Sequence, residues 1–226
     1  MKTIQNICIV MLSVAILGAC NSEKKMSNTT KGVAIGAATG AAAGGVIGHS
    51  SGNTAMGAVI GGIVGGTAGG LIGHKMDKQA KEIQEIKDAK VEKVNNGEGL
   101  KVTFESGILF ETNESVLNHS SQESLTKFAT SLQNNPETDI AISGHTDNTG
   151  TDKINMPLSR NRAESVANFL VSRGVKKERM TTVGNGSNQP VSDNNTSAGR
   201  ALNRRVEIVI VANDKMVKQA KEGTLQ

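Results

Sequence analysis

The sequence predicts that residues 97–212 fold as an α/β sandwich, in which helices cover a mixed sheet. Strand-like and helix-like patterns alternate through this interval, and such alternation is typical of a sheet layered with helices. The preceding interval, residues 32–74, contains no Asp, Glu, Lys or Arg and repeats glycine at every fourth position in two sets. It predicts a helical hairpin in front of the α/β domain.

The composition narrows the classes of function. Among 226 residues there are 26 Gly, no Trp or Tyr and only four Phe. Lys and Arg are interspersed with Asp and Glu, and the net charge is only +4. Without a basic stripe or aromatic side chains to stack on bases, we expect no nucleic-acid partner. Both cysteines, Cys8 and Cys20, lie at the start of the chain, so we expect no metal site or cofactor in the domain.

Residues 1–19 have the pattern of a secretory signal, with Lys2 before an apolar run. The run ends on LGAC, which resembles the lipobox of bacterial lipoproteins. The resemblance implies that Cys20 is acylated and becomes the first residue of the mature protein. Asn21 and Ser22 lack the acidic residue that retains enteric lipoproteins in the inner membrane, which favours the outer membrane. A plain transmembrane helix is the alternative, although the run is shorter than the ~20 residues that a span needs.

Residues 20–31 are polar and predict a tether. The hairpin in residues 32–74 has a turn at residues 49–54, where Thr54 can cap the second helix. Glycine in an exposed helix costs about 1 kcal/mol relative to alanine, so we expect the helices to pack closely, as small residues allow in lipid. The segment resembles the glycine zippers of envelope lipoproteins. Insertion in the bilayer, self-association and a low-complexity spacer all remain open.

Residues 75–96 carry charges of alternating sign and predict a solvated helical linker. The domain then begins, and its predicted strands are residues 100–104, 140–143, 180–183 and 205–211. Asn113 or Thr112 can cap one helix, which Pro136 follows. Asn155 can cap a second helix, which Gly174 ends. The tail, residues 213–226, has no predicted role.

Polar residues follow directly on the predicted strand 140–143, because residues 144–150 read GHTDNTG. Clefts commonly form where a strand of an α/β sheet ends. Arg162 lies in the apolar row of the next helix and needs a partner there. We expect Asp147 to be that partner, and a ligand carboxylate can share the guanidinium.

Together with GHTDNTG, a set of later residues and segments resembles the signature of the OmpA-like peptidoglycan-binding domain: Asn155, Leu158, Ser159, Arg162 and Ala163, with GRA at 199–201 and NRRVEI at 203–208. The resemblance covers residues 97–212, and the whole chain is similar to OmpA-family outer-membrane lipoproteins. It implies binding of the diaminopimelate in peptidoglycan stem peptides. It also implies a lipid anchor in the outer membrane, with the domain in the periplasm.

In that family an aspartate and an arginine clasp the amino-acid end of the ligand, and here they match Asp147 and Arg162. Thr149 and Asn155 match supporting polar positions. Arg204 and Arg205 are candidates either for lining the pocket or for structural ion pairs with neighbouring acids. At position 111 the chain has Glu where the family often has Asp, which leaves the role of Glu111 open.

Two alternative functions have less support in the sequence. A hydrolase would recruit His145, Asp147 and Ser159, but the sequence has no glycine-framed serine elbow and too few ligands for zinc. We therefore expect no enzyme activity. A pore would be an oligomer of the glycine hairpin, with the wall-binding domain as its anchor, but residues 32–74 lack the polar or charged rings that line pores.

Overall fold

The computed structural model describes residues 66–111 and 113–225, with side chains from Ala68 onward. The predicted signal peptide, Cys20, the tether and the hairpin as far as residue 65 lie outside the described residues. The elements, in chain order, are α1 Gly66–Gln84, β1 Lys90–Val94, β2 Gly99–Glu105, α2 Ser106–Leu109, α3 His119–Asn134, β3 Thr138–Gly144, α4 Asp152–Ser172, β4 Met180–Gly184, α5 Ser197–Asn203, β5 Arg205–Ala212 and α6 Asp214–Glu222.

The strands form one mixed sheet in the order β1-β2-β5-β3-β4. All neighbours are antiparallel except β3 and β4, which are parallel and are joined through α4. A parallel pair needs such a crossover, because its second strand must start at the same end as the first. The predicted mixed sheet covered by helices is confirmed.

The helices cover one face of this sheet, and alternate residues of the central strands point toward them. In β5 these are Val206, Ile208 and Ile210, each without exposed surface. Phe104 of β2 meets Phe128 of α3 edge to face, with ring centroids 5.8 Å apart. Side chains from α1, α3, α4 and α6 complete the same core. Burial of aliphatic surface on this face is the larger hydrophobic contribution to stability, and a smaller cluster of Ala141, Val209 and Val211 is buried on the other face.

The prediction of a solvated helical linker in residues 75–96 is wrong. Helix α1 runs through position 74 without interruption and ends at Gln84, and its Ile72, Met76 and Ile83 are completely buried. Residues Lys90–Val94 form an edge strand paired with β2. The domain therefore starts well before residue 97. No helix in the described part of the chain is long and apolar enough to cross a membrane.

Two predicted helix starts are also wrong. Helix α3 begins at His119, because Asn118 accepts a hydrogen bond from the Ser121 N–H and so caps it; Asn113 lies in the preceding loop. Helix α4 begins at Asp152, with Thr151 as its N-cap, so that Asn155 is inside the helix and buried. The tail contains helix α6, whose Met216 and Ala220 are buried.

Candidate functional site

The alternation of side chains along β5 decides which of two arginines, Arg204 just before the strand or Arg205 at its first position, reaches the helix-covered face. Val206, Ile208 and Ile210 face the core on alternate positions, so Arg204 continues that face and Arg205 takes the other. Arg204 lines a cavity at this end of the sheet. Arg205 is 3% exposed and donates to Glu207 Oε1 over 2.7 Å. The expectation that Arg205 binds ligand is therefore not supported by its position, since it forms a structural ion pair.

The loop after β3 is shaped by its own polar side chains. The Thr149 N–H donates to Asp147 Oδ1 over 2.8 Å, which closes a local turn. Asn155 Nδ2 donates to the Thr149 carbonyl over 3.1 Å. A Cβ on Gly144 would overlap the backbone carbonyl of Ser159, so glycine allows α4 to approach β3 closely. These contacts hold Asp147 and Thr149 at the mouth of the cavity.

Asp147 pairs with Arg204. The Arg204 Nη1 donates to Asp147 Oδ2 over 2.5 Å, and the arginine side chain remains 41% exposed. Burial alone would raise the pKa of Asp147, but hydrogen bonds from Arg204 and Thr149 outweigh it and leave the pKa below its ordinary value. Asp147 is therefore a carboxylate at neutral pH, held with one oxygen toward each partner.

Arg162 is held by a different set of contacts. Its Nε donates to the carbonyl of Glu114 over 2.9 Å, and its guanidinium carbon lies 5.3 Å from the centre of the Phe110 ring. Arg162 is 3% exposed, and burial lowers its pKa while Asp147 opposes that change. No ion pair joins Arg162 to Asp147, so the direct pairing predicted from sequence is wrong. The two side chains instead line one cavity.

This cavity has a volume of about 420 Å³ and is open to solvent. It contains five of the six wall-binding residues predicted from sequence, all except Arg205; the five are Asp147, Thr149, Asn155, Arg162 and Arg204. Arg200 of α5 also lines it and was missed, although it stands in the GRA segment that precedes NRRVEI. Phe110, Glu111 and Leu158 add a wall that is partly apolar. A cavity that presents the carboxylates of Asp147 and Glu111 beside three guanidinium groups suits a ligand that carries both signs of charge.

The residues of the hydrolase alternative are not assembled for catalysis. His145 follows β3 on the face opposite Thr146, where its Nε2 lies 3.2 Å from Ser143 Oγ. Burial and Arg205 lower its pKa to about 4, against the opposing effect of Glu207. Ser159 Oγ donates to the Met156 carbonyl and accepts from the Gly186 N–H. Among the described residues no cluster suited to a metal ion is found.

Comparison with known proteins gives two family matches. The model of the OmpA family matches residues 109–204, and that of the YMGG-like Gly-zipper matches residues 1–77. The boundary at residue 77 falls inside α1, so the zipper family extends into the helix that packs on the sheet.

Three relatives illustrate the similarity. The probable lipoprotein YiaD of Escherichia coli is 33% identical over 140 residues, which are 62% of this chain and 64% of YiaD. The peptidoglycan-binding protein ArfA of Mycobacterium tuberculosis is 50% identical over 88 residues, which are 39% of this chain and 27% of ArfA. The cell wall anchor of the T6SS from Pseudomonas aeruginosa superposes with a TM-score of 0.53 at 27% identity, covering 61% of this chain and 97% of that structure. The matched part of the chain thus spans less than two thirds of the length of each of these two curated relatives.

Proposed function

We propose that this chain, which combines an OmpA-family domain with a YMGG-like glycine-zipper segment, binds peptidoglycan without covalent attachment and links the outer membrane to the cell wall. The ligand is the diaminopimelate of the stem peptides. Asp147 binds its ammonium group and Arg162 its carboxylate, with Thr149, Asn155 and Arg204 around them. The names of ArfA and of the secretion-system anchor support this proposal.

One observation carries the proposal. Asp147 and Arg162 line the same cavity but do not neutralise each other. Arg162 bonds to a backbone carbonyl through Nε, which leaves its two terminal nitrogens for a carboxylate. Asp147 already has Arg204 and Thr149 as partners, yet a carboxylate accepts up to about four hydrogen bonds. A zwitterionic amino-acid end therefore finds both complementary charges in one place.

The membrane end of the link is Cys20. The lipobox-like sequence supports acylation there, and multiple acyl chains hold a protein at a membrane where one chain binds only marginally. With the anchor in the outer membrane, the domain reaches the wall from the periplasmic side. Mass spectrometry of the N-terminal peptide tests this part, since a mature chain that starts elsewhere than at an acylated Cys20 contradicts it.

Binding is tested by sedimenting the purified full-length chain with insoluble peptidoglycan sacculi. We expect the chain to pellet with sacculi and to be released by a soluble stem tripeptide that ends in meso-diaminopimelate, but not by the matching tripeptide that ends in lysine. The lysine side chain ends in an ammonium without a carboxylate, so that peptide lacks the amino-acid end on the side chain. A chain that stays in the supernatant, or that the lysine tripeptide releases equally well, contradicts the proposal.

The same incubation tests the absence of cleavage. Ser159 and His145 are engaged in structural hydrogen bonds, which supports binding without hydrolysis. We expect chromatography of the supernatant to show no muropeptides above those from sacculi incubated alone. Release of muropeptides by the chain would make it an enzyme.

A further inference from the structure

A row of three polar side chains crosses the end of the sheet on the helix-covered face. The paired register of β2 and β5 ends at Glu105 opposite Arg205, and the Ser106 N–H then donates to the Arg204 carbonyl over 2.8 Å. On the other side of β5, the His145 N–H donates to the Arg205 carbonyl over 2.9 Å, which brings Thr146 beside Arg204. Ser106 and Thr146 therefore flank Arg204, each about one strand spacing, ~5 Å, away.

Both hydroxyl residues occupy positions where the strand pattern would place an apolar side chain. Ser106 follows Val102 and Phe104 on the inward face of β2, and Thr146 follows Ile140 and Ile142 on that of β3. Ser106 is 1% exposed and Thr146 is 5% exposed. An aliphatic residue would fill such a position without any need for a hydrogen bond.

Neither hydroxyl has a hydrogen-bond partner within the described part of the chain, although Ser106 Oγ and Thr146 Oγ1 are both buried. Buried hydroxyls are nearly always hydrogen-bonded, because desolvation without a partner is destabilising. Both residues line the cavity that holds Asp147 and Arg162. Two unsatisfied hydroxyls on the wall of one binding cavity point to a ligand that satisfies them.

We propose that Ser106 and Thr146 are ligand-binding residues of this cavity; the inference rests on the proposed function. Thr146 adjoins Asp147 and accepts a hydrogen bond from the ligand ammonium. Ser106 lies one helical turn before Phe110, the ring that supports Arg162, and donates to the ligand carboxylate. Because each hydroxyl oxygen has less than 1 Å² of exposed surface, binding includes a rotation of each side chain toward the cavity.

The test measures affinity and stability together. The full-length chain in detergent is titrated calorimetrically with a soluble stem tripeptide that ends in meso-diaminopimelate. We expect Ser106→Ala and Thr146→Val each to weaken binding about ten- to hundredfold, the usual effect of losing one hydrogen bond to a charged group. We expect their melting temperatures to equal or exceed that of the parent, because each change removes a buried hydroxyl that the free protein leaves unpaired. Thr146→Ser keeps the hydroxyl and should keep the affinity.

Ser143→Ala is the matched control. Ser143 is a buried hydroxyl residue of β3 on the opposite face, and its Oγ donates to the Glu207 carbonyl over 3.3 Å. We expect this variant to melt at a lower temperature and to bind the tripeptide as the parent does. Parent-like affinity in both Ser106→Ala and Thr146→Val overturns the inference while the proposed function stands. A parent chain that does not bind the tripeptide overturns both.

Discussion

Asp147 connects the binding cavity to the sheet, because its two oxygens have different partners. One accepts from the Thr149 N–H within the loop, and the other accepts from Arg204, the residue just before β5. A change at Asp147 therefore alters both the loop and the cavity charge. Its ion pair is only moderately stabilising, since the Arg204 side chain is 41% exposed and such pairs contribute about 1 kcal/mol or less. Asp147 therefore contributes little to the stability of the fold, and the role proposed for it is in binding.

The lowered pKa of His145 allows a prediction of how the stability of the fold depends on pH. Burial among Ser143, Asn185, Arg205 and Glu207 depresses its pKa from 6.5 to about 4 in the folded chain. Between these values the unfolded chain binds the proton and the folded chain does not, so stability falls as pH decreases from 6.5 to 4. The full loss is on the order of 3 kcal/mol. Urea denaturation at several pH values between 7 and 4 measures this loss.

The variant His145→Asn provides the control for that prediction, because it keeps a polar group and removes the titration. The comparison concerns the slope of stability against pH, so a constant offset in stability between the two chains does not matter. Equal slopes in parent and variant would show that His145 does not cause the acid sensitivity.

At the residue scale the sequence predicted most of the site but not its contacts. The alternation of Val206, Ile208 and Ile210 already placed Arg204 on the inner face and Arg205 on the outer one, so this distinction could have been drawn. The hydrogen-bond partner of Arg162 could not be predicted from the sequence, because the Glu114 carbonyl belongs to a loop far away in the chain. The buried hydroxyl of Ser106 was missed, since a serine after a strand usually marks a turn.

The helix pair α1 and α6 gives the C-terminal tail a structural role. Met216 and Ala220 of α6 are buried in the same core as Met76 and Ala80 of α1. We expect Met216→Ala to lower the free energy of unfolding by about 2–5 kcal/mol, because it leaves a cavity in that core. Chemical denaturation measures the loss. Lys218→Ala, an exposed position on the same helix, should change it by less than about 0.5 kcal/mol. Equal effects would mean that α6 does not pack as described.

The effect of an exposed glycine in α1 on stability can be measured in the same way. Gly70 is exposed, and a Cβ added there would meet nothing within 4 Å. Gly70→Ala should therefore raise the free energy of unfolding by up to about 1 kcal/mol through helix propensity alone. Denaturation of the full-length chain in detergent measures it. A loss of stability would show instead that another helix packs closely on this glycine.

At the scale of elements, strands with a regular apolar pattern were predicted correctly, whereas the edge strand of the sheet and the start of a helix were not. The four strands with apolar inward faces were all predicted. Strand β1 was missed because KVEKV at an exposed edge carries charges, which protect sheet edges but also match the surface of a helix. The start of α4 was missed because Asn155 bonds to the loop before the helix, a contact that depends on the folded loop.

For the whole molecule, the largest difference from the sequence prediction is the boundary between the glycine-rich segment and the α/β domain. Ala68 and Ile72 belong to the glycine-rich segment by sequence, yet they are buried in the core beside the sheet. The same side chains cannot also face lipid or another zipper helix. Bilayer insertion or self-association therefore cannot use the face of α1 that carries Ala68 and Ile72. The last residues of the glycine-rich segment and the first charged residues after it form one helix, α1, rather than a separate linker.

Binding to the wall is proposed to depend on Asp147 and Arg162. Sedimentation of full-length variants with sacculi tests it most directly, with folding checked by thermal melting. Asp147→Ala and Arg162→Ala should stay in the supernatant, because each removes one of the two charges that the zwitterionic ligand needs. Asp152→Ala and Arg160→Ala, exposed neighbours on α4, should pellet with the parent. Folded Asp147→Ala and Arg162→Ala chains that pellet as the parent does would contradict the account.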